Sequence, residues 1–143
     1  MNLLLIRHGE TSWNQEQRYQ GQQDSPLSEL GLAQAAKTAA FLARMKIDVI
    51  YTSDLLRAKR TAEAIARPHG LTPIADPRLR EINFGVWEGL TREEVQARYP
   101  ELFSARFRDN INVRVPGGEL PGEVAERLAE FVQELQSKHL HQN

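Results

Sequence analysis

Arg7-His8 follows directly on Leu3-Leu4-Leu5-Ile6, a short and wholly apolar run. A histidine of ordinary pKa, near ~6.5, is largely neutral at pH 7 and offers an unprotonated ring nitrogen to an electrophile. The arginine beside it adds a planar cation whose N–H fork matches two phosphate oxygens. Gly9 then lets the backbone approach closely. An apolar run of this length with a charged stop reads as a buried parallel strand. Ligands of open parallel sheets bind at the carboxyl ends of strands, so a site is expected here. An isolated Arg-His pair is more often a solvated strand end, and the residues around it must decide.

Those residues form the string Leu5-Ile6-Arg7-His8-Gly9-Glu10-Thr11-Ser12-Trp13-Asn14. It resembles the signature of the histidine phosphatase superfamily, also called phosphoglycerate-mutase-like, in its phosphatase branch. Further stretches agree in order along the chain: Arg18-Tyr19-Gln20-Gly21, then Asp24 with Pro26-Leu27-Ser28-Glu29-Leu30-Gly31. Tyr51-Thr52-Ser53-Asp54-Leu55-Leu56-Arg57-Ala58, with Thr61-Ala62, resembles the turn that supplies a phosphate-binding arginine. Leu79 to Gly89 looks like the loop that holds an acid, and Pro116-Gly117-Gly118-Glu119 like the element before the family's next long helix.

The resemblance implies roles. His8 would attack phosphorus and carry the phosphoryl group as phosphohistidine, splitting one displacement into two. Arg7 and Arg57 would neutralise the equatorial oxygens of the transition state. Glu81 would protonate the leaving alkoxide and later take a proton from water. Burial beside Ile82, Phe84 or Trp87 is expected to raise its pKa for that work. Thr11, Asn14, Gln20 and Gly21 would line the substrate side. Each residue also has a plainer reading. Arg57, like Arg60, could be a solvated helix residue, Glu81 could cap a turn or pair with Arg78 or Arg80, and Trp87 suits packing better than substrate stacking.

No metal and no cofactor are expected, since histidine supplies the nucleophile and arginines the positive charge. The chain has four histidines, no cysteine and no Asp-x-Asp or His-x-x-x-His spacing. Thiolate and zinc–cysteine chemistry are thereby excluded. A Gly-x-x-x-x-Gly-Lys loop is also missing. With 18 basic against 19 acidic residues the net charge is −1, which argues against nucleic acid as a partner. No apolar run approaches the ~20 residues that span a membrane, and the start lacks the pattern of a signal peptide, so a cytoplasmic protein is expected. The partner expected is a small phosphorylated metabolite, and a homodimer is left open.

The elements that must hold these residues follow from periodicity. Strands are expected at Leu3 to Ile6, Asp48 to Thr52 and, broken by Pro73, Leu71 to Ala75. A helix capped by Ser28 should run to about Met45, with Gly31 a mild conflict in its first turn. A second should open at Ser53 or Asp54 and run to about Ala66. Thr91-Arg92-Glu93-Glu94 is a capping box, so a short helix is expected to Arg98, stopped by Pro100. Thr11 to Leu27 reads as a loop and Phe103 to Pro116 as irregular. A last helix should span Gly122 to Lys138, with Val124, Leu128, Phe131, Val132 and Leu135 on one side. Alternating strands and helices predict an α/β fold, a mostly parallel sheet in a three-layer sandwich with helices on both faces.

One domain over residues 1–143 is expected, and it departs from the family at its end. The family has a second essential histidine, on a His-Gly turn after a later strand that pairs beside the first. The chain stops at Asn143 without either, so it is expected to lack the family's C-terminal strands and to be incomplete. His69, His139 and His141 are poor substitutes, the last two reading as solvated helix-end residues. Three functions stay in play: a phosphatase, favoured by the short interval from Glu81 to Gly117; a phosphoglycerate mutase; and a catalytically impaired phosphate-binding domain. Sugar phosphates, phosphoglycerate and α-ribazole phosphate are candidate substrates, to be chosen by the Phe103 to Pro116 segment.

Overall fold

The computed structural model describes residues 2–139. Two short strands, β1 (Tyr51–Thr52) and β2 (Ile74–Ala75), pair in parallel with Tyr51 opposite Ile74 and Thr52 opposite Ala75. Between them the chain crosses over through a helix, Leu56–Ala66. Successive strand residues face opposite sides, and here they meet different helices. Ile50 packs against Ala39, Leu42 and Ile65, whereas the Tyr51 ring stands edge-on to Phe131 with centroids 5.4 Å apart. Helices therefore cover both faces of a small parallel sheet, as the alternating pattern predicts.

The helices, in chain order, are α1 (Ser12–Gln15), α2 (Glu29–Leu42), α3 (Leu56–Ala66), α4 (Arg92–Arg98), α5 (Pro100–Arg108) and α6 (Pro121–His139). Ser28 caps α2 as expected, its hydroxyl accepting from Gly31 N–H at 3.0 Å. The glycine that conflicts with helix propensity has a packing reason. A Cβ on Gly31 would lie 2.0 Å from the Glu10 carbonyl oxygen, and one on Gly9 would lie 2.4 Å from that of Gly31. The strip of chain carrying His8 thus crosses the first turn of α2 at a distance that only glycine allows.

Leu3 to Ile6 departs from expectation. These residues form no strand, and all four side chains are exposed, Leu5 at 85%. Apolar composition asks for burial, but a strand also needs a neighbour to take up its backbone groups. Among the described residues the sheet has two strands, and neither pairs with this run. The other two strands are shorter than predicted, and Pro73 lies just before the pairing begins.

Pro100 also acts differently from its predicted role. It does not merely end α4; it starts α5, where its missing N–H is one that a first turn leaves unpaired anyway. The segment expected to be irregular is therefore helical from Phe103 to Arg108. The capping box is as predicted: Thr91 Oγ1 accepts from Glu94 N–H and the Glu94 carboxylate from Thr91 N–H. α4 and α5 pack on a second core of Trp87, Val95 and Val115, with Tyr19, Phe84 and Phe103 around it. This excursion returns to its origin. Val86 N–H donates to Pro116 O at 3.0 Å and Glu119 N–H to Asn83 O at 2.8 Å.

On α6 Phe131 and Leu135 are buried, while Leu128 and Val132, predicted on the same face, remain over a third exposed. His139 is not a solvated end residue: its Nε2 lies 2.9 Å from the Tyr51 hydroxyl. His141 lies outside the described residues.

Candidate active site

His8 sits half-buried just before the crossing of Gly9 and Gly31. Its Nδ1 is 2.7 Å from the Gly9 carbonyl oxygen. A carbonyl can only accept, so Nδ1 carries the proton and Nε2 keeps the lone pair. Gly9 N–H in turn donates to Thr61 Oγ1 at 3.1 Å, and Thr61 donates to the Arg57 carbonyl at 2.9 Å. The nucleophile candidate is thus tied to the helix that carries the arginine. Burial holds the His8 imidazole below its ordinary pKa. The Gly9 hydrogen bond and the Glu81 charge oppose this, and the Arg57 and Arg7 charges add to it. A ring held below that value is neutral at pH 7.

Arg57 is not a solvated helix residue. It is 2% exposed, and its guanidinium donates to Gly21 O at 2.6 Å, Gln23 O at 2.9 Å and Asp24 Oδ1 at 3.4 Å. The loop that gives those carbonyls is itself folded around a carboxylate. Glu88 accepts from the N–H groups of Gln22 at 2.8 Å and Gln23 at 3.0 Å, and of Phe84 at 3.0 Å. Gly21 has φ +54, and a Cβ there would lie 1.9 Å from Glu88 Oε1. Asp24 has a second task, accepting from Leu56 N–H at 2.8 Å at the start of α3. Ser53 and Asp54, the predicted openers of that helix, act elsewhere: Ser53 Oγ takes Leu55 N–H, and Asp54 pairs with Arg80.

A buried cation whose nearest carboxylate oxygen is 3.4 Å away has charge left over for a ligand. Three hydrogen bonds also leave part of its five-donor fork unspent. Arg7, on the other side of His8, is exposed and forms no ion pair among the described residues. A cleft of about 240 Å³ brings these groups together, lined by Arg7, His8, Asn14, Gln20, Gly21, Arg57 and Glu81. An adjoining hollow of about 350 Å³ shares Arg7, His8 and Asn14 and extends to Glu10 and Gln34.

Two predicted site residues behave differently. Thr11 is fully buried and does not face the cleft; it caps α1, and its hydroxyl lies within 3.0 Å of Asn14 Oδ1 and 2.9 Å of Gln20 Oε1. It braces lining residues from behind. Glu81 lines the cleft but is exposed, and its carboxylate accepts from Ile82 N–H at 2.8 Å, so the apolar burial expected around it is absent. Its suggested partners are engaged elsewhere, Arg78 with Asp76 and Glu134, and Arg80 with Asp54. Trp87 is a core residue, as its plainer reading held, and Arg60 is solvated. Arg18, Tyr19 and Phe84 line the cleft without having been assigned there. The Arg-Tyr pair directly before Gln20 was the available signal.

Among the described residues His8 is the one histidine of the cleft, and no group of three or more His, Cys, Asp or Glu could hold a metal ion. Nor is any described helix long and apolar enough to cross a membrane.

The family model of the histidine phosphatase superfamily (branch 1) matches residues 3–143. This chain belongs to that superfamily. Phosphoserine phosphatase 1 of Hydrogenobacter thermophilus is 40% identical over 142 residues, covering 99% of this chain and 67% of the relative. Among superfamily structures, the mycobacterial glucosyl-3-phosphoglycerate phosphatase Rv2419c in complex with VO3 superposes with a TM-score of 0.84 at 39% identity, over 92% of this chain and 63% of that one. The α-ribazole phosphatase of Shigella flexneri superposes with a TM-score of 0.88 at 29% identity, over 93% and 66%. The chain spans about two thirds of the length of these superfamily members.

Proposed function

We propose that this protein hydrolyses small phosphomonoesters through a phosphohistidine on His8. The observation that carries the proposal is the ring of His8, with Nδ1–H committed to Gly9 O, between the Arg57 and Arg7 charges. In the first step the Nε2 lone pair bonds to phosphorus, the bond from phosphorus to the ester oxygen breaks, and protonated Glu81 gives that oxygen its proton. In the second, water adds to phosphorus, its proton goes to the Glu81 carboxylate, and the P–N bond breaks to free phosphate and His8. Arg57 and Arg7 hold the equatorial oxygens throughout, so the positive charge is the protein's own. The relatives named above act on phosphoserine, glucosyl-3-phosphoglycerate and α-ribazole phosphate by their names, which supports a small phosphorylated metabolite as substrate. A cytoplasmic setting and independence of metal belong to the same proposal.

Glu81→Gln tests the division of labour. With a phosphate ester of a good leaving group, the first step survives and the second slows by about 10²-fold. Labelled phosphoenzyme, stable to base and labile to acid, should then accumulate above the level in the unaltered protein. Phosphate binding with no phosphoenzyme in either protein would favour the binding-domain reading instead, and conversion of 3-phosphoglycerate to 2-phosphoglycerate outpacing phosphate release would favour a mutase.

The His8 pKa makes a second expectation. The neutral ring is the reactive form, so activity falls as acid protonates it. Because burial lowers that pKa, the acidic limb of kcat/KM should lie below the ~6.5 of a free imidazole, after allowance for the substrate's own ionisation. A pH–rate profile measures this, and a limb above that value speaks against His8 as the group observed.

A further inference from the structure

The backbone of the Glu81 loop is held from outside by one ion pair. Arg127, on α6, donates from Nη1 to Arg78 O at 2.6 Å and from Nη2 to Glu81 O at 3.2 Å. The same guanidinium grips Glu119, Nε to Oε1 at 3.1 Å and Nη2 to Oε2 at 3.0 Å. Glu119 Oε2 also accepts from Asn83 N–H at 2.9 Å, two residues beyond Glu81. Gln22 completes the arrangement, its amide donating to Glu119 Oε2 and to Glu81 O, each at 3.2 Å. One Arg–Glu fork therefore pins the chain at residues 78, 81 and 83, and Gln22 joins it to the loop whose carbonyls hold Arg57.

The Glu81 side chain has no such support. It is exposed, and its carboxylate bonds within the described structure to its own neighbour's N–H. Where the carboxyl sits relative to His8 is set by its backbone. We propose that Arg127 and Glu119 are positioning residues for Glu81, holding the loop so that its carboxyl reaches the leaving oxygen. Neither lines the cleft, so they act through the loop and not on substrate. The proposal rests on Glu81 as the general acid. An exposed salt bridge adds about 0–1 kcal/mol to stability. This one spends its remaining donors and acceptors on the acid loop.

The test compares kcat/KM for an alkyl phosphomonoester with that for p-nitrophenyl phosphate, using the full chain. A poor leaving group needs its proton and a nitrophenolate does not, so loss of acid function shows as a ratio. Glu81→Gln calibrates it, with a loss of about 10²-fold on the alkyl ester and less than about 3-fold on the aryl ester. Arg127→Met should lose about 10-fold on the alkyl ester, part of what an ångström of misplacement costs, and keep the aryl rate. Arg127→Lys should restore some of it. Equal losses on both esters, or none, would overturn the positioning role while leaving Glu81 as the acid. No leaving-group dependence in Glu81→Gln would overturn both. Should Arg127→Met not fold, Glu119→Gln is read by the same ratio, since it removes a charge from the fork while keeping its size.

Discussion

His8→Ala is expected to remove the phosphoenzyme and to lower phosphate release by on the order of 10⁶-fold, the scale of losing a covalent nucleophile. The magnitude follows from what remains. Arg57, Arg7, Asn14 and Gln20 still form the cleft, so substrate binds, but phosphorus has no partner for in-line attack. Inorganic phosphate, which needs no bond to the nucleophile, should therefore bind the variant with an affinity within about 10-fold of the parent, separating site from chemistry. His8→Ala with undiminished phosphate release would remove the mechanism altogether. The fold should tolerate the change, since the imidazole is half-exposed and Gly9 keeps its bond to Thr61.

Arg57→Met is expected to combine two losses. Phosphoryl transfer loses a cation aimed at the transition state, worth about 10³-fold or more in kcat/KM. The protein also loses stability, because the buried Gly21 O is left without its donor. An unpaired buried acceptor costs about 1–3 kcal/mol, so a fall of several degrees in Tm should accompany the lost activity. Arg57→Lys discriminates charge from shape. Lysine keeps the charge but cannot span both carbonyls and a phosphate, so it should recover little of the rate. A near-normal rate in Arg57→Lys would mean that charge alone suffices.

How far the sequence disclosed this molecule depends on the range of the interaction. Local signals were legible: the Ser28 cap, the Thr91–Glu94 capping box and the apolar periods of α2 and α3 all depend on residues within one or two turns. The cleft was legible for a different reason, because the resemblance placed His8, Arg7, Arg57 and Glu81 in one site before any geometry was known. What stayed hidden is long-range. Pro100 can stop one helix or begin another, and only the packing of α5 on Trp87 and Val95 decides which. The apolar stretch Leu3 to Ile6 announces a wish for burial but not whether a neighbour is there to provide it. Glu119 and Arg127 carried no visible role, since their partners are main-chain oxygens and an N–H far away in sequence.

The closed excursion between Val86 and Pro116 has a consequence for how this enzyme family can vary. Its two ends meet through main-chain bonds, Val86 to Pro116 and Glu119 to Asn83, so the path between them is a detour and not a bridge. Lengthening a detour costs little, about 0.6 kcal/mol for each doubling of a flexible loop. Extra residues inserted between Val86 and Pro116 can therefore be taken up while the main-chain bonds at residues 83, 86, 116 and 119 stay where they are.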